Sequence, residues 1–475
     1  MVAGGFNSDS RAMDFAIFHL DGLGNRALIA SIAILHVLIN HAFAVGALPL
    51  IAYLEHLGIK TGDERWDRLA RQLLAVTFFF TTTVGAMTGV GIWFSSSLVN
   101  PYSIGSLLRI FFWGWFAEWL VFITEVCLIM AYYLTWDSWR AERKRAHQNL
   151  GRFLAVFSWI TMALIVAVLS FMMTSGEWHE HRSFWVAFLN PLYLPQLGFR
   201  TFLALTSGGL LAMTLIPWFT DGRDNSLRRP AMRLCASWVL TALIPLGLCA
   251  LWYWKTVPQA MTGNLAVALT TMEFTSWHRH LLLGATSAIG LVVSYCLATL
   301  LRPVSPLSKW ALVPLLLTLA LLGLFERVRE FIRKPYVIPQ YMYSNTYRLE
   351  DYPLLQKDGV LKHAAFSPIT RIEPGNQVEA GRQVFLLTCS RCHTTGGVNG
   401  LTAKFKKLLG SEPWAQEPVA NYISNMHGAR PFMPPFPGNP EELKALSAHI
   451  VQLQSHPESG LGAQNFGIFA TKEAP

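Results

Sequence analysis

Eight runs of roughly 20 or more mainly apolar residues, each long enough to span about 30 Å of hydrocarbon, constrain this chain more than anything else in it. They fall near 26–54, 70–98, 107–135, 151–174, 196–219, 232–254, 277–301 and 309–334. In lipid every backbone polar group must be satisfied internally, so continuous runs of this length predict helices. The expected fold is therefore all-α, a polytopic membrane helix bundle of about eight transmembrane helices followed by a small domain. Composition agrees: 52% of residues are hydrophobic and only 14% charged, where soluble proteins carry about 25% charged residues. An ordinary soluble enzyme is excluded, and an even number of crossings predicts both termini on one side.

The net charge of +9 lies almost entirely before Pro335, and the part after it is close to neutral. Its basic residues punctuate apolar stretches rather than lining a solvated face, so the partner they indicate is the lipid bilayer and not nucleic acid. They cluster in alternate loops: Lys60, Arg65, Arg68 and Arg71 after the first run; Arg140, Arg143, Lys144, Arg145 and Arg152 after the third; Arg223, Arg228, Arg229 and Arg233 after the fifth; Arg302 and Lys309 after the seventh. Cytoplasmic loops carry the Lys/Arg excess. The expected location is thus the bacterial cytoplasmic (inner) membrane, with both termini on the periplasmic side. The segment Met1–Arg26 lacks a signal-peptide pattern and is expected to stay in the mature protein. No internal repeat is evident.

After a membrane domain at 1–335, residues 336–374 turn polar and irregular and are expected to form a periplasmic linker strap rather than a helix. A domain at 375–475 follows, with amphipathic runs at 376–388 and 440–454 that predict helices. Of six cysteines, Cys127, Cys235, Cys249 and Cys296 stand singly in apolar segments, as small hydrophobes do. Cys389-Ser-Arg-Cys392-His393 differs: CxxCH spacing lets two thiols take the two vinyl groups of one haem while the histidine ligates its iron. A zinc half-site would need a second Cys/His pair nearby, and a redox CxxC a thioredoxin-like βαβ pattern; neither is present. The expected cofactor is one covalent haem c on Cys389 and Cys392, with His393 on the iron. Met433, in Arg430-Pro-Phe-Met433-Pro-Pro-Phe436, is the favoured second axial ligand, with Met426 and His427 as competitors. The stretch from Val378 to Gln454 resembles a class I cytochrome c: a helix ending in Gly381-Arg-Gln-Val-Phe385 before CSRCH, a Met-Pro-Pro-Phe loop and a closing helix stand in that family's order. Such a haem is attached outside the cytoplasm, which agrees with the orientation drawn from loop charge.

Ionisable groups inside membrane segments cost several kcal/mol and raise a functional question by default. His36 lies ten residues beyond Arg26, about 15 Å deep at 1.5 Å per residue, and His41 is about 140° further round the helix. Each is a haem b iron candidate or a histidine bonded to a neighbouring helix. Glu118 and Glu125, seven residues apart, share one face of the third helix and suit proton relay, iron ligation or structural pairing. At the outer ends stand two His-x-His pairs, His179 with His181 in the loop before the fifth helix and His278 with His280 at the start of the seventh, able to serve as axial ligands, as a copper site or as solvated loop residues. At the end of the eighth run, Arg329 and Arg333 stand among Glu326, Arg327, Glu330 and Lys334, against the positive-inside trend. They suggest contacts to haem propionates or a quinone headgroup, or plain ion pairing.

Taken together, residues 26–336 resemble the large, haem-binding subunit of cytochrome bd quinol oxidases. His36 matches that family's first-helix haem b ligand, Gly85-Ala-Met-Thr-Gly89 its Gly-x-x-Thr-Gly turn, Glu118 and Glu125 its helix-3 glutamates, Asn190-Pro191 the turn before helix 5, and Arg329-Glu330-Phe-Ile-Arg333-Lys-Pro335-Tyr336 its Glu-x-x-Arg-Gln-Pro-Trp segment. The resemblance implies one or two b haems and possible quinone binding. Departures bear on activity. The helix-5 histidine ligand has no counterpart in the segment beginning Gly198-Phe-Arg-Thr, His280 falls near the helix-7 methionine ligand, and Gly323 replaces the helix-8 glutamate. The helix-3 glutamates are seven rather than eight apart, and the quinol-binding loop shrinks to about 22 residues. The cytochrome c domain stands where the ninth helix would be. The expectation is a membrane haem b/haem c electron-transfer protein, with His36 and His280 first for haem b iron and His41, His179, His181 and His278 behind them. Other respiratory-complex subunits and a periplasmic electron carrier are its expected partners. The alternatives are a bd-like terminal oxidase fed by cytochrome c, and a cytochrome-bearing anchor subunit of a larger complex.

Overall fold

The computed structural model describes residues 18–139, 143–220, 225–269, 278–304, 309–364 and 367–456. They form two compact units: residues 32–91 with 106–333, and a second unit of the N-terminal segment to Ser31, residues 92–105 and the chain from Lys334 on.

Among the described residues seven helices are long and apolar enough to cross a membrane: Asn25–Thr61, Glu64–Val99, Phe112–Leu134, Lys144–Phe171, Tyr193–Phe219, Asn225–Thr256 and Arg279–Leu301. They are numbered here as spans one to seven. The eighth expected span is also a helix, Leu312–Ile332, but its last two turns carry Glu326, Arg327, Arg329 and Glu330, which keeps it out of that set of seven. Most spans outrun their apolar cores because polar, amphipathic turns continue the helix into the loops. Spans one and two each widen into a π-helical stretch, at Asn40–Val45 and Thr81–Gly85. Such stretches are rare in helices and frequent at functional sites.

Spans one and five cross in backbone contact at Gly46 and Gly208. A Cβ on Gly46 would meet the Ala204 carbonyl at 2.2 Å, and one on Gly208 would meet the Gly46 carbonyl carbon at 2.1 Å. Small residues permit such approach where lipid supplies no hydrophobic drive between helices. The core of this unit packs Leu48, Ile51 and Leu54 of span one against Leu69 and Leu73 of span two and Met213 of span five.

Near the basic loops, a polar network is enclosed by this core. Glu55 is wholly buried. Its carboxylate accepts from the Tyr132 hydroxyl at 2.7 Å, contacts His147 Nδ1 at 2.6 Å and pairs with Lys144 Nζ at 2.8 Å. Lys144 also pairs with Asp67, which accepts from the Trp136 indole at 3.2 Å. Four spans are tied by buried charges, none of which can lose its partner cheaply.

In the second unit, the strap is more regular than its composition suggests. It holds a two-stranded hairpin, Tyr336–Ile338 with Met342–Tyr343, and a helix, Tyr352–Asp358. The two amphipathic runs form the helices Gln377–Thr388 and Pro440–Ser455, the latter opened by a reciprocal cap between Asn439 and Glu442 with Pro440 in the first turn. Two further helices, Leu401–Leu409 and Gln416–Ala429, lie between them. The first and last helices cross at Gly381, where a Cβ would stand 1.9 Å from the Ala445 carbonyl oxygen.

Removing one partner of a buried, desolvated pair leaves the other charge uncompensated, at about 3–5 kcal/mol. Glu55→Ala is therefore expected to destabilise the membrane unit by that order, against less than about 1 kcal/mol for Asp137→Ala, which breaks the exposed Arg71–Asp137 pair. Thermal unfolding of both variants in detergent checks this.

Candidate haem sites

CxxCH begins where the helix Gln377–Thr388 ends. Cys389 is its C-cap, and the next turn is closed by Cys392 N–H and His393 N–H donating to the Cys389 carbonyl at 3.0 and 2.9 Å. Neither thiol is in a disulfide, as attachment to a haem requires. His393 Nδ1 bonds the Asn399 carbonyl at 3.1 Å, and Asn399, held at φ 63°, donates its side-chain amide to the Cys392 carbonyl at 2.6 Å. Fixing Nδ1 on a carbonyl leaves Nε2 as the metal-binding nitrogen.

The loop carrying Met433 is held at three points. Met433 N–H donates to the Arg430 carbonyl at 2.8 Å, the Met433 carbonyl contacts His427 Nδ1 at 2.5 Å, and the Pro435 carbonyl accepts from the Tyr352 hydroxyl at 3.0 Å. Met426 packs against the domain core, and His427 is engaged with the loop backbone. Met433 is left as the sixth-ligand candidate. Tyr352 belongs to the strap, so a segment outside the haem domain proper steadies the ligand loop.

A second fixture comes from the other end of the chain. Asp21, four residues before span one, accepts from Thr395 N–H at 2.6 Å and from the Thr395 hydroxyl. The buried His19 contacts the same carboxylate at 2.9 Å, and Gly22 accepts from Val398 N–H at 3.0 Å. The clamped loop, 394–400, is the one whose Asn399 carbonyl orients His393. Burial alone raises the Asp21 carboxyl, but the bonds from His19 and Thr395 outweigh it and hold it below the ordinary 3.8.

In the membrane unit, His36 and His41 are the inward-facing pair among the candidate histidines with described side chains. His36 Nδ1 lies 3.1 Å from the Gly85 carbonyl and 3.1 Å from the Thr88 hydroxyl, and a Cβ on Gly89 would stand 3.2 Å from its ring. The Gly85-Ala-Met-Thr-Gly89 turn is thus a cradle shaped to this imidazole. His41 sits in the π-helical stretch of span one, 2% exposed. Its Nδ1 bonds the Val37 carbonyl at 2.9 Å, and its buried Nε2 makes no hydrogen bond among the described residues. Both rings present the tautomer of a metal-ligating histidine.

The outer histidines are placed differently. His280 is exposed on the first turn of span seven, and the side chain of His278 lies outside the described residues. His181 is exposed beside Glu177 at 3.7 Å, and His179 packs on the Trp178 ring at 5.3 Å. Glu125 accepts from the Thr161 hydroxyl of span four at 2.9 Å, while Glu118, one face-repeat away, is half-buried. Arg333 pairs with Glu330 through Nη2 at 2.6 Å, and Arg329 Nε with Glu326 at 3.2 Å. Sequence reasoning passed over the second cation on Glu326, Arg200 of span five. A cation two turns inside an apolar span was the signal for it.

A bundle of apolar helices with interior, carbonyl-oriented histidines, joined to a small helical domain with a covalent-haem motif, defines a membrane cytochrome. Comparison with known proteins makes this specific. The model of cytochrome bd terminal oxidase subunit I matches residues 25–288, more than half of the chain, and the protein belongs to that family. Residues 376–450 match the model of cytochrome c oxidase, cbb3-type, subunit III, so the C-terminal domain is a cytochrome c domain, which implies haem c. A solved bd oxidase structure from Geobacillus thermodenitrificans superimposes with a TM-score of 0.58 at 17% identity, covering 73% of this chain and 96% of that one. No curated protein matches the chain. The protein is a multi-pass membrane protein with an electron-transfer role.

Asp21 carries a depressed carboxyl, so its contribution is fully present at neutral pH and is lost as the pH falls through that lowered value. Asp21→Ala is expected to cost the cytochrome c domain about 1–3 kcal/mol at pH 7, with the difference from wild type closing only below 3.8. Denaturant unfolding followed at the haem c Soret band, at pH 7 and in acid, measures both.

Proposed function

We propose that this protein moves electrons between the membrane, from quinol or a donor subunit, and an acceptor on the side of its cytochrome c domain. When bound, a haem iron supplies a reversible one-electron couple; the chain supplies attachment, ligands and surroundings. Cys389 and Cys392 hold the haem c porphyrin, and His393 and Met433 its iron. His36 and His41, about 140° apart on one helix and so not ligands of a single iron, are each an interior candidate for haem b, ahead of the exposed His280 and of His179, His181 and His278. One arrangement carries the reading: His393 and His36 each fix Nδ1 on a backbone carbonyl at 3.1 Å, so each domain presents an imidazole Nε2 prepared for iron.

The bond between Asp21 and Thr395 supports the topology. A residue just before span one and a residue of the haem domain lie together within one unit, so the number of crossings between them is even. Seven spans therefore need an eighth, and Leu312–Ile332 supplies it. The basic residues of the alternate loops favour the periplasm for those shared ends, and a periplasmic carrier and other respiratory subunits are the partners this reading expects.

A second reading, oxygen reduction beside His36, draws on membership of a terminal oxidase family and on Glu118 and Glu125 sharing a helix face. One preparation separates the readings. Pyridine haemochrome spectra are expected to show haem b as well as haem c, and a quinol is expected to reduce the haem c without oxygen uptake. Oxygen uptake with reduced cytochrome c would replace this function by the oxidase, and a spectrum with haem c alone would reduce the membrane part to an anchor. Met433→Ala is expected to convert the haem c spectrum from six-coordinate to high-spin, while Met426→Ala leaves it six-coordinate.

A further inference from the structure

Inside the membrane unit, three helices bring two arginines, one glutamate and one tyrosine together. Arg200 of span five, Tyr253 of span six, and Glu326 and Arg329 of Leu312–Ile332 are 1%, 7%, 7% and 7% exposed. Glu326 bridges the two guanidinium groups, accepting from Arg200 Nη2 and from Arg329 Nε at 3.2 Å. An aromatic wall backs the cluster: Phe325 lies 5.7 Å from the Arg200 guanidinium, 5.7 Å from the Tyr253 ring and 4.7 Å from Phe199.

Two imbalances remain. Arg200 Nε, Arg329 Nη1 and the Tyr253 hydroxyl are buried and make no hydrogen bond among the described residues, so donors outnumber acceptors. Two arginines against one glutamate also leave one positive charge over, and the neighbouring Glu330 and Arg333 add one charge of each sign and so do not remove it. Water could take the spare hydrogen bonds, but it would leave the charge, which is the more expensive of the two in a low dielectric. A monoanion that accepts several hydrogen bonds corrects both. Guanidinium forks match carboxylate geometry, and a phenol adds a third donor.

We propose that Arg200, Tyr253 and Arg329 form a receptor for one carboxylate, completed by Glu326 as the fixed counter-charge that holds the two arginines together. The carboxylate is a propionate of a membrane-embedded haem, an assignment that rests on the haem b reading above; a free carboxylate is the other source of the same chemistry. The signs of two substitutions then oppose each other. Arg329→Gln removes a cation beside the propionate and lowers the haem b midpoint potential, whereas Glu326→Gln removes an anion and raises it. A general loss of packing would not shift the two in opposite directions, and an unchanged haem c potential reports that the rest of the protein is intact.

The experiment is a spectroelectrochemical titration of full-length wild type, Arg329→Gln and Glu326→Gln, with thermal unfolding of the same proteins in formate and in chloride at equal ionic strength. Opposite shifts at haem b, with haem c unmoved, support the propionate. Formate protection of the wild type that is lost in Arg329→Gln, with no haem b shift, supports the receptor with a free carboxylate as its occupant. Haem b present but unmoved in both variants, together with equal or no protection by formate, overturns the receptor and leaves the haem reading standing. A wild type without haem b removes that reading and the propionate with it, and the formate comparison then decides the receptor alone.

Discussion

Charge that enters a low-dielectric interior must be matched there, and this requirement organises the membrane unit. Near the basic loops the match is complete. Glu55 faces Lys144, His147 and Tyr132, and Asp67 shares the same lysine, so the ends of four spans are joined by bonds that water cannot replace. At the other location, Arg200 and Arg329 meet on Glu326 and leave one charge and several donors over. The first cluster is a closed structural joint, and the second is an open one. A buried network is stabilising only when every member is satisfied, which is why the open cluster points outward to a group the chain itself does not carry.

The same contrast separates the histidines. His147 uses both ring nitrogens, Nδ1 on Glu55 and Nε2 on the Tyr132 carbonyl at 2.9 Å, and has nothing left to offer a metal. His36, His41 and His393 each use Nδ1 on a backbone carbonyl. Hydrogen bonding at one nitrogen fixes the tautomer and basicity of the other, so the local backbone prepares these three imidazoles before any cofactor arrives. For His36 and His41 that backbone includes the π-helical stretches of spans one and two, which displace carbonyls from the regular ladder.

Much of this was legible in the chain, and the misses have physical causes. Apolar run length located the spans, CxxCH and its surroundings located the cytochrome c domain, and Gly85-Ala-Met-Thr-Gly89 with His36 marked one cradle. Ranking the histidines was another matter, because sequence gives depth along a helix but not the direction a ring faces across the bundle. His280 looked as promising as His36 and lies exposed, while His41 was ranked low and is among the most enclosed. Arg200, Glu55 and Asp21 escaped notice for a related reason: each acquires its meaning from a partner far along the chain, at Glu326, His147 and Thr395. The strap was expected to hold no helix, yet it forms the helix Tyr352–Asp358, whose Tyr352 reaches the Pro435 carbonyl.

Both ends of the membrane part are thereby fastened into the haem domain's own unit. The chain leaves Ile332 through Lys334 into the strap that supports the Met433 loop, and it enters Asn25 directly after the arm that clamps loop 394–400. Tethering a carrier converts a bimolecular encounter into an intramolecular one, with effective concentrations in the millimolar range for short linkers. Two fastenings do more than one, since they act on the two loops that present the two proposed axial ligands, His393 and Met433. Each loop is steadied by a segment outside residues 376–450, the part shared with other cytochrome c domains. The matched domain carries the CxxCH motif, and the arm and strap outside it bear on how firmly His393 and Met433 are held. Ligand-loop rigidity and attachment to the membrane part are thus one structural property in this protein, because the same two segments provide both.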